Sequence, residues 1–293
     1  MSMSLEAPIV TAIFLCAMAF ENASKGLILS IQKFGQSKTP VPAIMIVANI
    51  LSLAFGPMYI WSILAKTDCQ DSSLAFKVVM HLFFTSFSFF LLYKTWIVSQ
   101  KRTLVAVGAV ILILNRAAWT VLDWMWSKSE ETKFGCHYIQ DKTAIVGIST
   151  GGIAVDIFCT GATIISAFRD VDDDASSKMQ RIYRVLIADN VLRTLSVMAV
   201  NAFTLNYAMY SNLSIVPGSP TIMVVIPAIS NFVYTQAINI EFFWINVRND
   251  ILKTPEHENE LEREHIRMTS VQIRYDDQND NEKRSPVFPP RNH

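Results

Sequence analysis

Arg116, Asp156, Asp189, Arg193 and Glu241 stand inside stretches of sequence that are otherwise almost wholly apolar. Side chains of this kind can hold charge, move protons or bind a polar ligand, and each costs about 3 kcal/mol to place in hydrocarbon unless it is paired or turned inward. Glu21, Asn22 and Lys25 in the first stretch, Asn49 in the second, Asn190 in the sixth and Asn239 in the seventh complete a polar set at comparable depth. Glu21 and Lys25 are four apart, as are Asp189 and Arg193, with the acid first in both, the better orientation for a local ion pair. Two readings fit this pattern equally. Either the pairs neutralise themselves and lower the cost of burial, or they belong to a network tying the first, second, sixth and seventh stretches together. Asn115 and Arg116 lie mid-way along the fourth stretch and Asp156 mid-way along the fifth, so an Arg116–Asp156 pair is expected. Asp123, seven residues beyond Arg116 on a similar face, competes for it. His81, in the third stretch, reads as a hydrogen-bonded packing residue rather than a pH sensor.

Other chemistry finds no support. There is no His-Glu-x-x-His, Gly-x-Ser-x-Gly, phosphate-binding loop or Cys-x-x-Cys, and the five histidines are scattered. An aspartyl pair of Asp156 with Asp189 has no supporting motif. Cys16 and Cys159 lie in apolar runs, where a thiol acts as a small apolar side chain. The expectation is therefore of no enzyme, no catalytic residue, no metal and no cofactor.

The elements that must position these groups follow from composition. Charged residues make up only 17% and mean hydropathy is +0.31, so whole segments lack a polar face. A bilayer span needs about 20 mostly apolar residues. Seven stretches qualify: Ala7 to Ser30, Pro42 to Ala65, Leu74 to Val98, Thr103 to Trp126, Ala144 to Phe168, Ile182 to Tyr210 and Thr221 to Val247. The first has no Lys or Arg before its apolar run and no small-residue cleavage pattern, so it is read as a helix and not a signal peptide. The expected fold is all-α: a short outer N-terminus over residues 1–6, a seven-helix transmembrane bundle over 7–247, and a polar, disordered cytoplasmic tail over 248–293.

Lys and Arg stay on the cytoplasmic side during insertion. The odd connections are the richer: Lys33 and Lys38 in the first, Lys94, Lys101 and Arg102 in the third, Arg169, Lys178, Arg181 and Arg184 in the fifth, with Arg248 and Lys253 opening the tail. The second carries Lys66, the fourth Lys128, Lys133 and Lys142, and the sixth none. The N-terminus is therefore expected outside and the C-terminus in the cytosol. Cys69, Cys136 and the sequon Asn212-Leu213-Ser214 all then fall outside, the oxidising side where a disulfide persists; the closeness of Asn212 to the membrane argues against its glycosylation. Short loops imply antiparallel neighbours in one bundle. Gly147, Gly151 and Gly152 would permit a close helix contact, or are simply tolerated without one. Gly56-Pro57 and Pro227 should kink or loosen their helices.

Seven spans, an outer N-terminus, one cysteine just before the third helix and another in the loop between the fourth and fifth together resemble G-protein-coupled receptors. In the rhodopsin-like superfamily two such cysteines form a disulfide that staples the outer loop to the third helix, and the resemblance implies the same for Cys69 and Cys136. Where those receptors carry Asp-Arg-Tyr this chain reads Leu91-Leu92-Tyr93-Lys94-Thr95, and their Asn-Pro-x-x-Tyr has only the echo Asn231-Phe232-Val233-Tyr234. Cys-Trp-x-Pro is absent from the sixth span, and Thr221–Val247 lacks the lysine of a microbial retinal pigment. The resemblance implies a plasma-membrane receptor that binds an extracellular ligand and signals through its inner loops to a cytosolic partner. His81, Asp123, Trp124, Asn201 and Asn206 are the candidate ligand-facing residues. Alternatives from other classes are an ion- or proton-coupled transporter using Asp156, Asp189 and Glu241, and a non-signalling membrane scaffold. Zero net charge gives no reason to expect nucleic acid.

Overall fold

Each apolar stretch forms one continuous helix in the computed structural model, which describes residues 7–65, 68–132, 135–171, 177–210 and 221–253. The helices are α1 (Ala7–Ser37), α2 (Pro40–Leu64), α3 (Cys69–Val98), α4 (Thr103–Trp126), α5 (Lys142–Val171), α6 (Ser177–Tyr210) and α7 (Thr221–Lys253). Several outrun the expected spans: α1 continues past Ser30, and α3 starts at Cys69 rather than Leu74. One element departs from the all-α expectation. Between α4 and α5 the chain forms an antiparallel hairpin, β1 (Lys128–Thr132) and β2 (Gly135–Ile139), with Lys128 opposite Ile139 and Thr132 opposite Gly135. The bundle belongs to a unit ending at Val247; of the unit Arg248–His293 only 248–253 is described, as helix.

Among the described residues, five helices, α1 to α5, are long and apolar enough to cross a bilayer, with spans of 24 to 31 residues. The way α4 is buried explains what solvent they suit. Its buried residues are Arg116 and Asp123, while Leu104, Val107, Ile111, Leu114 and Met125 are exposed. A helix at the surface of a water-soluble domain hides its apolar stripe and shows its charges. Here the charges are inside and the aliphatic side chains outside, the arrangement that hydrocarbon favours, so the chain is a multi-pass membrane protein. Helices α6 and α7 are as long, at 34 and 33 residues, but carry more polar groups.

The interior is organised around α3. Phe55 of α2 meets Phe76 and Phe83 of α3 edge-on, with ring centroids 5.3 and 6.0 Å apart. Tyr234 of α7 lies against Phe84 and Phe87 of α3 at 4.9 and 4.5 Å. Such aromatic pairs add about 0.5–1.5 kcal/mol beyond the area they bury. Close helix approach depends on two glycines in particular. A Cβ on Gly147 would lie 2.2 Å from the Trp119 ring of α4, and one on Gly26 would lie 2.2 Å from the Asn239 side chain of α7. The small residues of α5 are therefore a packing surface. Pro57 and Pro227 sit inside otherwise continuous helices. In the turn before Pro227, the Val224 carbonyl accepts a hydrogen bond from Tyr59 of α2, tying α2 to α7.

Candidate functional site

At the hairpin end of the bundle the loop is held down at four points. The Cys69–Cys136 disulfide joins β2 to the first residue of α3, closing a separation of 67 residues. Ser73 of α3 and Ser129 of β1 share a hydrogen bond of 2.6 Å. Lys77 donates to the Ser127 carbonyl at 3.2 Å and sits 4.4 Å above the Tyr138 ring. The fourth point is Asp123, fully buried at the end of α4. Its carboxylate accepts from Tyr138 of β2, from Ser127 Oγ at 2.6 Å and meets His81 Nε2 at 2.7 Å. Burial first, and then the Asp123 charge, hold the Tyr138 phenol well above its ordinary pKa, so it stays a donor. Ser127 Oγ in turn accepts the Asp141 amide at 2.8 Å. Asp141 caps α5, taking the Thr143 and Ala144 amides at 2.8 and 3.2 Å, which satisfies two of the free donors at a helix start.

Beneath this hub lies a cavity of about 70 Å³ between α3, α4, α5, α6 and α7, with Gln140 contributing from the hairpin side. Met80, Phe84, Ile145, Ile148, Ile226 and Pro227 make its apolar wall; His81, Arg116, Ser149, Asn201, Thr204, Ser230 and Tyr234 make the polar one. The polar side is incompletely bonded. His81 Nδ1, Arg116 Nε and Asn201 Nδ2 are buried with no hydrogen-bond partner. Arg116 donates only to the Ile148 carbonyl, at 3.3 Å, and its guanidinium lies 5.6 Å from the Phe84 ring. Tyr234 donates to Asn201 Oδ1 at 2.8 Å, which leaves the Asn201 amide hydrogens unused.

At the opposite end the polar residues form two clusters. Asn239 Nδ2 donates to the Asn22 carbonyl and to Asn49 Oδ1, both at 3.0 Å, joining α7 to α1 and α2. Ser52 of α2 bonds Thr235 and Asn231 of α7 at 2.7 and 3.1 Å. The second cluster is ionic. Lys94 of α3 donates to Glu241 of α7, and Arg193 of α6 approaches the same oxygen at 3.7 Å. Arg193 also donates to Asn190 at 3.2 Å, and Asn190 to Thr163 of α5 at 3.0 Å.

Several expected partners change. Arg116 does not pair with Asp156: the acid whose charge acts on it is Asp123, and the cation acting on Asp156 is Arg193. Helix rotation accounts for this, because α4 turns Arg116 and Asp123, its buried residues, to one inward face. Asp156 is buried and its Oδ2 has no hydrogen-bond partner. Lys94 is not a loop charge but a buried member of α3. Glu21 and Lys25 pair with each other at 2.6 Å on the outer surface, about 70% exposed, and take no part in the Asn22 cluster. Asn115 is exposed on α4. Asp189 lies on α6 but its side chain is outside those described, and Asn212 lies outside the described residues.

Of the candidate ligand-facing residues, His81 and Asn201 line the cavity. Asp123 is buried behind His81, Trp124 is exposed with its ring 6.4 Å from that of His81, and Asn206 is exposed. Lys77, Tyr138 and Tyr234 were not legible as site residues: a lysine near a span end and a tyrosine in a loop or span carry no signature of their own. Among the described residues no cluster of three or more His, Cys, Asp or Glu could hold a metal ion. Compared with known proteins, the chain matches no family model and no curated protein.

Proposed function

We propose that the chain is a receptor-like membrane protein of seven spans, with its N-terminus and hairpin outside and its C-terminus in the cytosol. Its ligand enters from the hairpin end into the cavity, and the inner loops engage a cytosolic signalling partner. The observation that carries this reading is the cavity itself: a roofed space among five helices whose buried polar groups lack partners. Each unpaired buried donor costs about 1–3 kcal/mol, a cost that a bound ligand removes and that an inert scaffold has no reason to bear. The route from cavity to inner face runs along α3 and α7, both of which line the cavity and share the Lys94–Glu241 bridge. A ligand that favours one arrangement of these helices would shift the loops beside that bridge.

The test is proximity labelling from the C-terminal tail in intact cells. The wild type is compared with a cavity-filled variant, Ser149→Leu, and with one in which Lys101, Arg102, Lys178, Arg181 and Arg184 become glutamine. A receptor loses cytosolic neighbours on loop neutralisation and changes them on cavity filling. Identical neighbour sets in all three sink the reading.

One observation favours a second reading, a proton-coupled carrier: the buried Asp156, whose Oδ2 is unpaired near Arg193. Its test is proton or solute flux in liposomes, expected to disappear in Asp156→Asn; absence of flux under an imposed gradient rejects it.

A further inference from the structure

The chemical class of the ligand is written in the cavity wall, and we infer that the site takes a small carboxylate with a short apolar body. The inference deepens the receptor reading and rests on it for the cavity being a ligand site. Arg116 is the deciding group. The residue is 5% exposed, and its guanidinium is cationic and has no carboxylate partner among the described residues. Asp123, the acid acting on it, is already occupied by His81, Ser127 and Tyr138. Among the described residues, Lys94 and Glu241 show the alternative, a buried base brought together with an acid. A buried cation left without an anion is the costly arrangement, and an anion from outside completes it.

The neighbours match that anion at both ends. Asn201, 8% exposed, accepts from Tyr234 at its Oδ1 and has its Nδ2 unbonded, so it offers hydrogen to an acceptor. A planar carboxylate suits the guanidinium fork better than a neutral acceptor does. Amines are disfavoured, since the cavity wall carries Arg116 and no carboxylate. Met80, Phe84, Ile148 and Ile226 belong to the apolar side of the wall, which suits a hydrocarbon body. The volume, about 70 Å³, limits that body to a few carbons; pockets for drug-sized molecules begin near 300 Å³.

The test uses the full chain, disulfide intact, in lipid nanodiscs. Acetate, butyrate and hexanoate are compared with butanol and butylamine by calorimetric titration. Saturable binding is expected for butyrate and not for the alcohol or amine, about 10- to 100-fold weaker in Arg116→Gln. Arg116→Lys should recover part of the loss. If Arg116→Gln does not fold, as judged by its melting profile and Cys69–Cys136 linkage, Asn201→Ala serves instead, with a loss of about fivefold or more. Butyrate binding that is absent, or unchanged by these substitutions, overturns the proposal. Saturable butylamine binding that Asn201→Ala weakens overturns the carboxylate class but leaves the cavity as the receptor site. Carboxylate binding without any change in the cytosolic neighbours supports the class and counts against the receptor.

Discussion

Replacing Asp123 with leucine while separately replacing Tyr138 with phenylalanine would measure how firmly the hairpin is held over the cavity. The carboxylate is fully buried and serves three partners, His81, Ser127 and Tyr138. A hydrogen bond to a charged acceptor contributes about 1.5–3 kcal/mol, so Tyr138→Phe alone should destabilise the bundle by that amount. Asp123→Leu orphans every donor at once, and breaking such a buried set typically costs about 3–5 kcal/mol. In the double variant the stranded phenol is gone as well, so the loss should fall short of the sum by about 1–3 kcal/mol, the coupling energy of the contact. Equilibrium unfolding in mixed micelles, titrating the denaturing detergent, reads all four corners of the cycle. Non-reducing peptide mapping must show Cys69 still linked to Cys136 in each variant, because loss of that covalent tether would itself loosen the hairpin from α3. Additivity within about 0.5 kcal/mol would mean that the Tyr138–Asp123 contact contributes nothing to holding the hairpin.

At the other end, Glu241→Gln should destabilise more than Lys94→Gln. The first removes the acid that both Lys94 and Arg193 approach, at a cost of about 3–5 kcal/mol, whereas the second leaves Arg193 at 3.7 Å from the acid; the same unfolding assay reporting the reverse order would show that Glu241 is not the shared anion. Tyr138 makes the hairpin sensitive to alkali. Its folded pKa is raised above the ordinary value of 10 by burial and by Asp123, so the folded state keeps the proton that the unfolded chain releases. The contribution is intact below pH 10 and declines as pH rises beyond it; wild-type stability should show this decline and Tyr138→Phe should lose it, with parallel profiles refuting the assignment.

The sequence showed which groups must be satisfied more readily than by whom. Helical stretches and buried charges were legible because hydrocarbon imposes the same cost wherever a charge lies along a span, and that cost depends on residue type alone. Pairing depends instead on helix rotation. In the sequence Arg116 and Asp156 fall at matching depth on neighbouring helices, yet Arg116 lines the cavity and donates to the Ile148 carbonyl, while Asp156 does not line it. Lys94, which read as a loop charge, is the residue that carries α3 into contact with Glu241. The hairpin was hidden for a related reason. Lys128–Thr132 and Gly135–Ile139 show no strong alternation, and their pairing is supported from outside by the disulfide, Lys77, Ser73 and Asp123. These facts bear on one another: Asp123 holds the roof through His81 and Tyr138, and with that carboxylate occupied Arg116 is a cation in the wall with no bonded carboxylate among the described residues.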